Sequence, residues 1–306
     1  MAIVANLVPD PVPTHTVNDL LLLYLSDYLP LKAVITQYHH RKYFARMQAE
    51  FGTLPLDELT PAYLRAYRDR LRTRYSPGTV RLYCMALSAA LQTAVQELGW
   101  LATNPLRQVR LPAPAHHHVR FLSEDERPRL LTACQASLNP ALYTVVLVAL
   151  GTGMRKTEIL TLHWDAIDLG RSTIRLLQTK NGASRGVPLP QVVREVLQRW
   201  WERRQLQTPW VFPNRSGRKP MDISQAWENA RARAGLTDFR FHDLRHTCAS
   251  YLAMNGASMR EIAEVLGHKT LAMTLRYTHL SSRHTAGVVE RMADTFLPPT
   301  KERRHD

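Results

Sequence analysis

Between residues 110 and 121 the chain reads RLPAPAHHHVRF, and this stretch constrains the fold more than any other. Pro112 and Pro114 each remove a backbone donor and fix φ, so neither a helix nor an inner strand continues through them. The text differs on the two sides. From Val17 to about Val109, short helical runs follow one another with no strand signal. From about Phe121, helical text is interrupted by one alternating stretch, STIRLLQTKNGASRGVPL, with Asn181-Gly182 between two short runs. That is the pattern of a β-hairpin. The expected fold is mainly α with a small antiparallel β-sheet, in two domains, which suits 306 residues. The expected divisions are an irregular segment 1–15, a helical domain 16–110, a linker 111–120, an α+β domain 121–297 and a tail 298–306.

Helix punctuation supports this division. Thr16 or Asn18 caps a first helix that Pro30 stops, and Gly52 closes a second. Thr60-Pro61 and Ser76-Pro77 open two more, each pairing an N-cap hydroxyl with proline at the first helical position. In the second half Ser123 and Glu126 have capping-box spacing. Gly235, Gly256 and Gly267 stand where helices should end. WVFP, residues 210–213, reads as a further short strand. In SSRHTAGVVERMADTF, Val288, Val289, Met292 and Phe296 share one face of a last amphipathic helix.

Charge narrows the partners. Forty Lys and Arg oppose 26 acids, a formal net charge of +14. Residues 1–115 carry 12 basic and 8 acidic groups and the remainder 28 and 18, so both halves suit a polyanion such as nucleic acid. Arg65, Arg68 and Arg72 fall at i, i+3 and i+7 on one helix face, a stripe read as free of acids, and Arg81 opens the next helix. These four are candidate phosphate contacts. Cys84, Cys134 and Cys248 are odd in number and far apart, which implies no disulfide framework and a reducing compartment. The adjacent His116, His117 and His118 lack ligand spacing, so no metal is expected. The N-terminal text is not that of a secretory signal, and LLLLYL and ALYTVVLVAL are too short to span a bilayer. A cytoplasmic protein without membrane contact is expected.

Five short segments carry residues capable of chemistry: GTGMRKTEIL with Arg155 and Glu158, QTKNG with Lys180, FHDLRH with His242 and Arg245, LGHKT with His268, and TLRYTHL with Tyr277. Singly, each has an ordinary explanation as an ion pair, a turn residue, a helix-end residue or a packing aromatic. As a set they suit attack on a phosphodiester. Two guanidiniums can clamp non-bridging phosphate oxygens and the extra charge of a pentavalent transition state. A tyrosine hydroxyl can serve as nucleophile, although a phenol of ordinary pKa is only about 0.1% ionised at pH 7. The arginines are expected to ease that ionisation and His242 to take the proton. His268 can hydrogen-bond a phosphate oxygen, and Glu158 can orient the cluster. Asp165 and Asp168 read as turn residues, and no carboxylate cluster suited to two metals is evident.

In this order the five segments resemble the tyrosine recombinases, the phage-integrase family. The resemblance spans about Phe121 to Phe296 and extends more loosely to the helical first half, which is similar to that family's core-binding domain. It implies a C-shaped clamp on duplex DNA. It implies site-specific strand exchange through a covalent 3′-phosphotyrosyl link at Tyr277, without metal, ATP or other cofactor. Lys180 on its hairpin would protonate the departing 5′-hydroxyl, as the family's hairpin lysine does. The implied partners are DNA carrying a core recombination site and three further copies of the chain, a homo-tetramer on two duplexes. The tail is more like integrases of prophages and mobile elements than Xer-type resolvases, and an extra arm-binding domain is expected to be absent. An Xer-type resolvase, a type IB topoisomerase-like enzyme and a non-catalytic DNA-binding protein are the alternatives. His246, His279 and His284 are read as bystanders.

Overall fold

The computed structural model describes residues 15–113, 119–176, 184–204 and 206–281, and seven positions of a helical stretch between 287 and 296. The chain forms two compact units, Met1–His116 and His117–Asp306, each with its own apolar core.

Among the described residues the regular elements of the first unit are all helical. Helices α1 (Val17–Leu23), α2 (Val34–Phe51), α3 (Pro61–Arg72) and α4 (Pro77–Gln96) form its frame. Thr16 caps α1 in a reciprocal box with Asp19. The chain continues from α1 through a wider helical turn, Tyr24–Tyr28. Thr60 and Ser76 cap α3 and α4, with Pro61 and Pro77 at the first helical positions. The core gathers the inward stripes: Leu20 and Leu21 of α1, Phe44 and Met47 of α2, Leu64 and Tyr67 of α3, and Leu87 and Leu91 of α4. Asn104 ties the exit strand of chain to α4 through Ser88.

The second unit is α+β. Helices α5 (Glu126–Gln135) and α6 (Leu142–Thr152) lead to the short α7 (Lys156–Leu160). Strands β1 (Ile167–Asp168), β2 (Thr173–Leu176) and β3 (Arg185–Pro188) form one antiparallel sheet in sequential order. In the hairpin Ile174 faces Val187 and Leu176 faces Arg185. The Asn181-Gly182 turn, with Lys180, lies outside the described residues. Helices α8 (Gln191–Glu202), α9 (Ser224–Arg233), α10 (Asp243–Met254) and α11 (Met259–Leu266) complete the unit, followed by a tight helical segment Leu275–Ser281.

Two local readings differ from the sequence expectation. Residues 210–213 make no regular strand; Trp210 and Pro213 form single bridges to His163 and Pro220, because the prolines and turns there remove the donors a ladder needs. Strand β1 follows the Trp164–Ala166 turn and is only two residues long, too short to leave a periodic signal. Ser123 and Glu126 do exchange the two expected bonds. Among the described residues no helix is long and apolar enough to cross a membrane, and no cluster of His, Cys, Asp or Glu is arranged to hold a metal ion.

Candidate active site

Helix α6 is apolar on nearly every side and must be enclosed. It ends at Gly153 in the left-handed conformation, φ +62°. A Cβ there would be strained and would run into Leu266, so glycine is required. The reversal delivers Arg155 to the N-cap of α7. The Arg155 amide donates to Glu158 Oε2 at 2.9 Å, and its guanidinium donates to Glu158 Oε1 at 2.9 Å. Arg155 is thus held by one carboxylate at both ends while keeping N–H groups free to turn outward.

Helix α10 supplies the centre. Arg245, 4% exposed, donates from Nη1 to the Gly153 carbonyl and from Nη2 to the Leu266 carbonyl, both at 2.7 Å. These carbonyls lie two residues ahead of Arg155 and of His268. One guanidinium therefore ties together the segments that bear two other candidates. Its fork has five N–H groups, so it remains able to donate to a ligand. Burial, and then the charges of Arg155 and Arg185, push Arg245 down to about 10, which leaves it cationic at neutral pH.

Helix α11 ends at Gly267, again left-handed at φ +64°, and releases His268. The His268 Nδ1 pairs with the buried Thr274 hydroxyl at 2.8 Å, and burial followed by Arg245 and Arg155 lowers the ring to about 4. His242 precedes α10 and is exposed on one side; partial desolvation and then Arg245 also lower its basicity.

Tyr277 is 1% exposed and packs against Ala249, Ala253, Ile262 and Leu266. Its hydroxyl lies 2.6 Å from Nδ1 of His246. Burial pushes it up to about 12, and the opposing pull of Arg276 and Arg245 does not cancel this. The arginines do favour ionisation, as expected, but in the free chain desolvation is the larger effect and the net shift is upward.

Two residues that the sequence reading passed over belong to this cluster. His246, read as structural, is the partner of Tyr277; the i, i+4 spacing from His242 was the available signal, and the two rings meet edge to face with centroids 5.0 Å apart. Arg185, with its side chain 12% exposed, bonds Glu158 Oε2 at 3.0 Å and the Val265 carbonyl at 2.9 Å. It shares a strand face with buried Val187, so a charge at an inward position was the sign of it. Burial opposes ionisation of Glu158, but the Arg155 amide and the Arg185 and Arg155 guanidiniums hold its carboxyl below the usual range.

On α3 the arginines do not form an acid-free stripe. Asp69 pairs with Arg68 at 2.9 Å and with Arg72 at 3.5 Å, since side chains one and three residues apart reach one another over the helix surface. Arg68 is half-buried and also donates to the Arg110 carbonyl. Arg65 and Arg72 are exposed, and Arg81 is partly so. His284 lies outside the described residues, and His279 is exposed.

Comparison with known proteins agrees with this geometry. The sequence profile of the Phage integrase family matches residues 120–284. The chain is 32% identical to a shufflon-specific DNA recombinase of Escherichia coli over 268 residues, 84% of this chain and 68% of that protein. It is 34% identical to the integrase of Salmonella phage P22 over 213 residues, 65% of this chain but only 53% of the phage protein, so it spans about half of that relative's length. In fold it is similar to the Tn1549 transposon integrase, residues 82–397, solved with circular intermediate DNA. That similarity has a TM-score of 0.75 at 20% identity and covers 91% of this chain and all of the other. By profile, relatives and fold, the chain belongs to the phage integrase family of tyrosine site-specific recombinases.

Proposed function

We propose that the protein cuts and rejoins duplex DNA at a core recombination site to integrate or excise a mobile element, through a 3′-phosphotyrosyl intermediate at Tyr277. The observation that carries this reading is the convergence on α10. Arg245 binds the backbone just ahead of Arg155 and of His268, and the next residue, His246, holds the Tyr277 hydroxyl. The phage P22 and Tn1549 relatives, both integrases by name, support the mobile-element assignment.

In this scheme Arg155 and Arg245 bind the non-bridging oxygens of the scissile phosphate, and His268 and His242 add hydrogen bonds to it. Glu158 sets Arg155. Lys180 protonates the departing 5′-oxygen. The Tyr277 oxygen attacks phosphorus, and the stored phosphotyrosyl bond lets a 5′-hydroxyl from a partner strand reseal the DNA. The cationic side chains supply the charge stabilisation that metal ions supply in two-metal nucleases. The setting is the cytoplasm, and the working assembly is a homo-tetramer on two duplexes. A duplex nicked beside the cleavage point should trap the protein as an adduct that survives boiling in detergent. Exchange of strands between two duplexes then separates a recombinase from a topoisomerase; relaxation without exchange would overturn the assignment.

The helical first unit is proposed to grip phosphates through Arg65, Arg72 and Arg81, with Arg68 serving more to anchor residue 110. Binding should weaken with salt as counterions are released. Replacing Arg65 and Arg72 together by Ala should reduce the slope of log affinity against log salt by about 2, at roughly 0.9 per lost phosphate contact. An unchanged slope would return both to the solvated surface.

Val289, Met292 and Phe296 are exposed, at 53%, 45% and 77%, on the helical stretch near the C-terminus; Val288 lies outside the described residues. An apolar helix face open to water suits a neighbouring protomer better than the chain's own core. Truncation after Ser282 is expected to leave a folded protein that binds one half-site but loses cooperative filling of the full site and strand exchange. Gel-shift titration counts the protomers, and retained cooperativity would refute the docking role.

A further inference from the structure

We propose that His246, rather than His242, is the group that accepts the proton of Tyr277 when the tyrosine attacks DNA. The proposal rests on Tyr277 being the nucleophile and assigns the proton acceptor within that same site.

The geometry leaves little choice. Nδ1 of His246 is 2.6 Å from the Tyr277 oxygen, and among the described residues that hydroxyl makes no other hydrogen bond. At 1% exposure it is closed to bulk water as a proton acceptor. His268 has its Nδ1 committed to Thr274. His242 touches the ring of His246, and no hydrogen bond joins it to Tyr277 among the described residues. His242 therefore stands behind the acceptor rather than in its place.

The surrounding charge explains why the free chain does not ionise its tyrosine. Facing His246 are His242 at the N-cap of α10, Arg245 within that helix, Arg276 beside the tyrosine, and His268 after α11. Burial and then these groups hold the His246 ring down to about 4, while Tyr277 stands at about 12, so transfer within the free protein runs steeply uphill. A phosphodiester arriving among Arg155, Arg245 and His268 adds negative charge, which stabilises an imidazolium and offsets the cationic field. The transfer then proceeds with bond formation. The Tyr277 O–H bond breaks and its proton moves to Nδ1 as the oxygen–phosphorus bond forms. The bond from phosphorus to the 5′-oxygen breaks, and that oxygen takes a proton from Lys180. In resealing, each proton returns. The nucleophile is thereby inert until DNA supplies the charge that makes His246 a competent base.

The test is single-turnover cleavage of the nicked suicide duplex across pH 6–9 with wild type, His246→Asn and His242→Gln. Asparagine places an amide near the Nδ1 position, keeping a hydrogen bond while unable to carry the proton. Loss of a general base costs roughly 10²–10⁴-fold. His246→Asn should fall by a factor in that range at pH 7, and the deficit should shrink about tenfold per pH unit as hydroxide takes over the deprotonation. His242→Gln should lose a factor that does not change with pH. Near-wild-type cleavage by His246→Asn, or a deficit constant across pH, would overturn the proposal, as would the sloping deficit appearing in His242→Gln instead. Absence of any adduct in wild type would overturn the nucleophile reading beneath it and is recognised by failure of all three proteins. Should His246→Asn fail to fold, nitrogen NMR of histidine-labelled wild type decides: a neutral ring protonated at Nε2 supports the acceptor role, and one protonated at Nδ1 refutes it.

Discussion

Replacing Tyr277 by Phe is expected to abolish the covalent protein–DNA adduct while leaving DNA binding within a few-fold of wild type. The ring packs among Ala249, Ala253, Ile262 and Leu266, and phenylalanine fills that space with the same contour. Only the hydroxyl is lost, together with its bond to His246. The cost in stability is small, about 1 kcal/mol for one hydrogen bond, with the His246 nitrogen left to find water or His242. The cost in cleavage is total, because among the described residues no other hydroxyl is paired with a histidine of α10. Thermal melting and a gel-shift titration verify fold and binding, and a denaturing gel with the suicide duplex reads the adduct. An adduct formed by Tyr277→Phe would place the nucleophile elsewhere.

The sequence carried the chemistry further than the geometry. Arg155, His242, Arg245, His268 and Tyr277 stood in short segments whose residue types suit phosphate chemistry, and Gly267 was readable as a helix end. Gly153 and Gly267 are both left-handed and both sit just ahead of a candidate side chain. The pairings could not be read. His246 gave no sign that it would meet Tyr277, thirty-one residues away, because that meeting depends on how α11 and the segment after it fold back onto α10. Arg185 was obscured for the same reason: its partners Glu158 and Val265 come from two separate helices. The arginine field at Tyr277 was legible but the burial that outweighs it was not, because a sequence shows which charges are present but not how much water is removed. On α3 the periodicity was right, yet Asp69 lay close enough to reach Arg68 and Arg72, since long side chains bend over the helix surface.

Arg245 separates architecture from catalysis less cleanly than Tyr277, and its substitution should therefore damage both. Its two bonds go to carbonyls that accept from no other side chain among the described residues, and each buried carbonyl left unpaired costs about 1–3 kcal/mol. Loss of a donor to the transition-state oxygens costs about 3–4 kcal/mol more in cleavage, roughly 10²–10³-fold. Arg245→Ala should melt several degrees below wild type and show no measurable cleavage. Arg245→Lys keeps a charge but has no planar fork, and one ammonium cannot bridge Gly153 and Leu266 and also reach a phosphate. It should fold with a lowered melting temperature, bind DNA within about tenfold of wild type by virtue of its charge, and cleave about 10²–10³-fold more slowly. Arg155→Lys is the instructive companion. Arg155 has 31% of its side chain exposed, with its amide bond to Glu158 independent of the side chain, so it should lose cleavage to a similar degree with little loss of melting temperature. Equal melting of the two lysine variants would show that the tie from Arg245 to Gly153 and Leu266 contributes nothing to the fold. Cleavage by Arg245→Lys within tenfold of wild type would remove this guanidinium from the phosphate altogether.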